Sequence, residues 1–130
     1  MKHIFEYLFS KKSDIDKLKN WDSELHNLDI VELATGEKYL VLMDPKYYDS
    51  NYMPFKTGSP TLWRGNTYIL MTYYSSKLTN THDKSMNMIK IWHKTEKFDM
   101  TPSQAAHIMP SDLDYLTKYI YADSINIKKQ

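Results

Sequence analysis

The stretch DIVELATGEKYLVLM, residues 29–43, decides the fold. Two runs rich in Ile, Val, Leu and Tyr, 29–34 and 37–43, flank Thr35-Gly36, where glycine supplies the positive φ of a tight hairpin turn. The second run holds Leu40-Val41-Leu42-Met43, apolar without alternation, as expected of a central strand covered on both faces. Asp44-Pro45 ends it, because proline carries no N–H to donate to a ladder.

Outward from this hairpin, residues 67–74 predict a third strand and 86–94 a fourth, separated by the polar segment 75–85. Between the second and third strands, prolines and glycines alternate with Tyr47, Tyr48, Tyr52, Phe55 and Trp63. That mixture resists regular structure yet is too aromatic for a solvated linker, so an ordered loop is expected over 45–66. Towards the N-terminus, Ile4, Phe5, Leu8 and Phe9 predict a short helix over 2–9. Ser13 then caps a second helix, 13–25, with Asp14 and Asp16 in its first turn and a stripe of Ile15, Leu18, Trp21 and Leu25. Towards the C-terminus, Thr101-Pro102 reads as cap plus first helical residue, and Ser111 opens a last helix with Leu113, Leu116 and Ile120 buried. The expectation is one α+β domain over 1–130. An antiparallel sheet of about four strands is flanked by N-terminal and C-terminal helices, and 1–12 and 125–130 are frayed.

Charge narrows the function. Seventeen basic and 16 acidic residues leave a net charge of +1, and the two signs alternate along the chain, so no field is available to steer an anionic polymer. Arg64 is the single arginine, which confines bidentate phosphate or guanine recognition to one place. With no cysteine there is no disulfide, thiolate nucleophile or thiolate-bound zinc. No apolar run approaches the roughly 18 to 20 residues of a membrane span, and the N-terminus lacks a signal-peptide core. A cytoplasmic protein without membrane attachment is expected.

Enzyme chemistry finds thin support. His3, His26, His82, His93 and His107 are scattered, without the spacing of a metal motif. His82-Asp83 is similar to the central dipeptide of metal-dependent phosphohydrolases, but it reads as a polar hairpin tip. His93 on the fourth strand could serve as a general base, and Asp44, Asp49 and Asp83 could converge on a cation. Leu62-Trp63-Arg64-Gly65 resembles the aromatic-Arg-Gly strand motif of some ADP-ribosyltransferases, which implies an arginine on dinucleotide phosphates. The Glu-x-Glu pair of that family is missing downstream, and Arg64-Gly65-Asn66 reads instead as the turn into the third strand. No glycine-rich phosphate loop and no G-x-S-x-G elbow occurs. No metal and no cofactor is expected.

Tyrosine carries the better signal. Tyr47, Tyr48, Tyr52, Trp63, Arg64, Tyr73 and Tyr74 are the candidate binding residues, with Lys46, Lys56 and Lys77 nearby. Half or more of these rings are expected to cover the sheet or pack in the ordered loop; as large, stiff, amphipathic groups, the rest suit a protein interface, either with another protein or within a homo-oligomer. The alternatives are a nucleotide or single-stranded nucleic-acid module that stacks bases on the rings, and a small enzyme using His93 or the loop aspartates. The opening residues 1–16, MKHIFEYLFSKKSDID, resemble the starts of small uncharacterised proteins of tailed phages of gut bacteria. The resemblance implies a viral accessory, structural or inhibitor protein acting in the host cytoplasm, and it assigns no site residue.

Overall fold

The computed structural model describes residues 25–45, 56 and 58–127. The expected helices over 2–9 and 13–25, apart from Leu25, lie outside the described residues, as do Tyr47, Tyr48, Asp49 and Tyr52.

The hairpin forms as read. Strands β1 (Ile30–Leu33) and β2 (Lys38–Leu42) pair antiparallel, with Ile30 opposite Leu40. Gly36 sits in the turn at φ +95°, its N–H donating to the Leu33 carbonyl at 2.8 Å. Strand β3 (Thr61–Trp63) adds to β2, and β4 (Tyr68–Leu70) adds to β3. On the other side β1 pairs with β5 (Met88–Trp92), and β5 with the two-residue β6 (Ile125–Asn126). The sheet is wholly antiparallel, in the order β4-β3-β2-β1-β5-β6.

Among the described residues, six strands replace the expected four. β3 was hidden inside the proline- and glycine-bearing stretch, where three residues are too few to show alternation. β6 lies in the tail expected to fray, and the Ile127 N–H donates to the Ile89 carbonyl at 2.9 Å beside it. The expected third strand is cut short at Leu70. One 3₁₀ turn, Met71–Tyr73, bends the chain before Tyr74 forms an isolated bridge with Asn80.

Both faces of the sheet are covered. On one, Ile30, Leu40, Leu42, Trp63 and Trp92 meet Ala105, Ala106, Ile108, Leu113 and Leu116 from helices α1 (Pro102–Ala106) and α2 (Pro110–Tyr115) and their neighbours. On the other, Val31, Leu33, Tyr39, Val41 and Leu62 meet Met71, Tyr74 and Leu78 from the segment after β4, together with Leu25. This two-sided burial explains why 40–43 reads without alternation. A bulge in β5 lets Ile30–Glu32 pair with Trp92–Lys90 while Leu33 pairs with Met88, which puts Met88 and Ile91 on one face.

The caps follow their chemistry. Thr101 accepts from the Gln104 N–H and Gln104 accepts from the Thr101 N–H, a complete capping box ahead of Pro102. α2 begins one residue before the expected Ser111, with Pro110 as its first residue and the Asp112 carboxylate accepting from the Met109 N–H at 2.9 Å. It continues as a π-helical turn, Leu116–Ile120.

Candidate functional site

The residues singled out by sequence divide between core and surface. Trp63 is 1% exposed and its indole N–H donates to the Ala106 carbonyl at 3.2 Å, tying β3 to α1. Tyr74 is 5% exposed, with its hydroxyl donating to the Met86 carbonyl at 2.7 Å. Burial pushes its phenol up to about 12. Neither ring presents a face to a partner. Arg64 is half-buried, donating to the Lys38 carbonyl at 2.8 Å and lying over the Tyr39 ring, so its guanidinium is engaged within the fold. Arg64-Gly65-Asn66 makes the turn into β4, with the Arg64 N–H donating to the Thr67 carbonyl. Tyr73 is surface-exposed and meets the His82 ring edge-on at 4.8 Å.

Of the described loop aspartates, Asp83 serves a turn. Asp83 accepts from both the backbone N–H and the hydroxyl of Ser85, and these two bonds hold its carboxyl below the usual carboxylate range. Asp44 is exposed. Neither belongs to the group of potential metal ligands found among the described residues.

An aromatic surface does exist, on residues the sequence reading passed over. Leu113, Leu116 and Ile120 face inward as expected, which turns Tyr115 and Tyr119 outward at 56% and 63% exposure. Their rings lie 5.1 Å apart. Beside them a groove of about 380 Å³ opens between the 98–100 loop, α1 and α2, lined by Phe98, Met100, Ile108, Tyr115 and Leu116. Its wall is held in place: Lys94 Nζ donates to the Thr95 and Phe98 carbonyls, and Phe98 packs on Tyr121 with centroids 5.7 Å apart. Three polar residues also line the groove: Gln104 on the Thr101 N–H, Asp112 on the Met109 N–H, and His107, whose Nδ1 lies 2.9 Å from the Ser103 carbonyl. Met109, 60% exposed, projects near the same helix start. Two outward tyrosines at i and i+4 on the polar face of a helix were the available sequence signal.

His93 lands in a second constellation. Ile30 opposes Trp92 in the ladder, so the next residues outward, Asp29 and His93, also meet. His93 Nδ1 lies 2.7 Å from Asp29 Oδ2, and the Lys94 N–H donates to Asp29 Oδ1 at 2.9 Å. Asp29 is 1% exposed. The turn before β1 returns His26 to the same carboxylate: its N–H donates to Asp29 Oδ2 at 2.8 Å and its Nδ1 lies 3.5 Å from that oxygen. Leu28 closes this turn at φ +72°, a left-handed conformation that costs a non-glycine residue about 1–3 kcal/mol and is held here by burial of its side chain and by the Tyr121 hydroxyl on its carbonyl. His26 and His93 pack edge-on, centroids 5.4 Å apart.

No family model, curated protein or solved structure matches the chain. No helix among the described residues is long and apolar enough to cross a membrane.

Proposed function

We propose that this chain is a non-enzymatic binding protein that engages another protein through an aromatic surface. The observation that supports this reading is the exposed Tyr115–Tyr119 pair beside the apolar groove of Phe98, Met100, Ile108 and Leu116. Stiff aromatic rings next to a recess that admits an apolar side chain are the usual makings of an interface hot spot. Tyr47, Tyr48, Tyr52 and Tyr73 stay in the proposal as further elements of such a surface. In keeping with the N-terminal resemblance, the protein would be an accessory or inhibitor protein of a tailed phage that meets its partner in the host cytoplasm.

A nucleotide or single-stranded nucleic acid is the second reading, favoured by Lys118, whose Nζ lies 5.4 Å from the Tyr119 ring and could sit beside a stacked base. Against it, Asp112 and Asp114 lie on the helix just before Lys118, and the net charge of the chain is only +1. The protein reading is preferred.

Affinity capture with the wild-type protein and with Tyr115→Ala/Tyr119→Ala tests the proposal. Both side chains are exposed, so the double variant should keep the fold by circular dichroism. It should lose at least about 2 kcal/mol of affinity for the captured protein. Binding to that protein should fall only shallowly with salt, whereas a ligand held through several phosphates would weaken steeply. Undiminished binding by a folded double variant would remove this surface. Tyr47→Ala/Tyr48→Ala in the same assay tests the loop tyrosines.

A further inference from the structure

We propose that His26, Asp29 and His93 form a binding site for a divalent transition-metal ion of the zinc class. These three residues are the group among the described residues whose potential ligand atoms all lie within 4.8 Å of one another. The donor set, two imidazoles and one carboxylate with no thiolate, is one that zinc accepts with three protein ligands, leaving a position open to solvent.

The ligand atoms stand within 4.8 Å of one another, near enough for small side-chain movements to gather them around one ion. Four ligands placed at about 2.0–2.1 Å around a tetrahedral ion stand about 3.3 Å apart. His26 Nδ1 is 3.5 Å from Asp29 Oδ2, close to that spacing and outside good hydrogen-bond range. His93 Nδ1, at 2.7 Å from the same oxygen, is hydrogen-bonded and must open by roughly half an ångström to admit an ion. The proton balance is simple. His93 donates its Nδ1 proton to Asp29 in the metal-free form. On binding, the neutral ring takes the other tautomer, the proton sits on Nε2, and the freed Nδ1 lone pair binds the ion.

The buried carboxylate supplies the electrostatic argument. The Asp29 side chain is 2% exposed, and among the described residues its ion-pair partners are His26 and His93, with no lysine or arginine. Backbone N–H groups from His26 and Lys94 satisfy its lone pairs without supplying a full positive charge. A divalent cation would supply it. The two imidazoles differ in exposure: the His93 side chain, just past the end of β5, is 33% exposed, while that of His26 is 67% exposed and packs edge-on against it. The site thus has a buried carboxylate and a more exposed imidazole at its mouth.

The experiment uses the full chain without a histidine tag, stripped with a chelator and titrated with Zn²⁺ by calorimetry. Co²⁺ serves as a spectroscopic substitute. Wild type should bind one Zn²⁺ per chain, raise its melting temperature when zinc is added, and develop visible d–d absorption with Co²⁺. Loss of even an outer-sphere partner of a metal ligand costs about 10–100-fold in affinity, so His26→Ala and His93→Ala should each weaken Zn²⁺ binding at least about 100-fold. His26→Ala removes an exposed side chain and should leave the metal-free melting temperature unchanged, which separates ligand loss from misfolding. Failure of wild type to bind Zn²⁺ would overturn the proposal. So would unchanged affinity in a folded His26→Ala variant. Neither result bears on the tyrosine surface.

Discussion

Gly65 and Gly36 form a matched pair from which the energetic worth of one backbone contact can be measured. Both adopt φ +95°, so alanine at either position suffers the same left-handed penalty of about 1–2 kcal/mol. Their surroundings differ. A Cβ on Gly36 would meet nothing within 4 Å, whereas a Cβ on Gly65 would stand 2.0 Å from the carbonyl oxygen of Ile108. Ordinary contact begins near 3.4 Å, so the β3–β4 turn and the α1–α2 connection would have to part by roughly 1.4 Å. The obstacle is backbone and cannot rotate away, and Ile108 itself is a buried core residue. Forcing such a shift through a packed core costs about a further 1–3 kcal/mol. Urea denaturation should therefore show Gly36→Ala destabilised by about 1–2 kcal/mol and Gly65→Ala by roughly 2–5 kcal/mol. Equal losses in the two variants would refute the close approach of the turn to Ile108.

Two further outcomes are expected. Trp63→Ala should destabilise by about 3–5 kcal/mol, measured by urea denaturation, because it empties a fully buried volume and strands the Ala106 carbonyl. A loss below about 1 kcal/mol would place Trp63 outside the core. Tyr74 has its folded pKa raised by burial from 10.0 to about 12, so the stability it contributes is complete below pH 10 and is lost as pH rises through about 12. Unfolding followed by circular dichroism should begin in that window, with Tyr74 ionisation rising alongside it in near-ultraviolet absorbance. Tyr74→Phe should shift the onset upward, and an onset unaffected by the change would contradict the assignment.

What the sequence disclosed follows the range of the interactions involved. The β1–β2 hairpin, the glycine turn and the Thr101-Pro102 cap rest on neighbouring residues, and each appears where its local chemistry put it. β3 and β6 are too short to carry a pattern, and their partners define them. The tyrosines of the candidate surface were legible as a residue class but not as positions. Tyr74 enters the core because the 3₁₀ turn after Leu70 redirects the chain, whereas Tyr115 and Tyr119 are outward because Leu113 and Leu116 turn inward. The His26–Asp29–His93 group was not legible. Asp29 reads as the polar lead into a strand, and His93 reaches it only through the β1–β5 ladder.

That ladder also sets the order in which the molecule can assemble. β1–β2 and β3–β4 are hairpins that close short loops, on a timescale of about microseconds in isolation. β1 and β5 belong to distant parts of the chain, with Ile30 opposite Trp92, and joining them restrains more than sixty residues at once. The entropy of that closure grows only logarithmically with loop length, but all of it is lost before the central strand gains its second neighbour. Docking of β5 onto the β1–β2 hairpin is then the expected slow step, and destabilising substitutions in β5 should lower the folding rate measured by stopped-flow fluorescence.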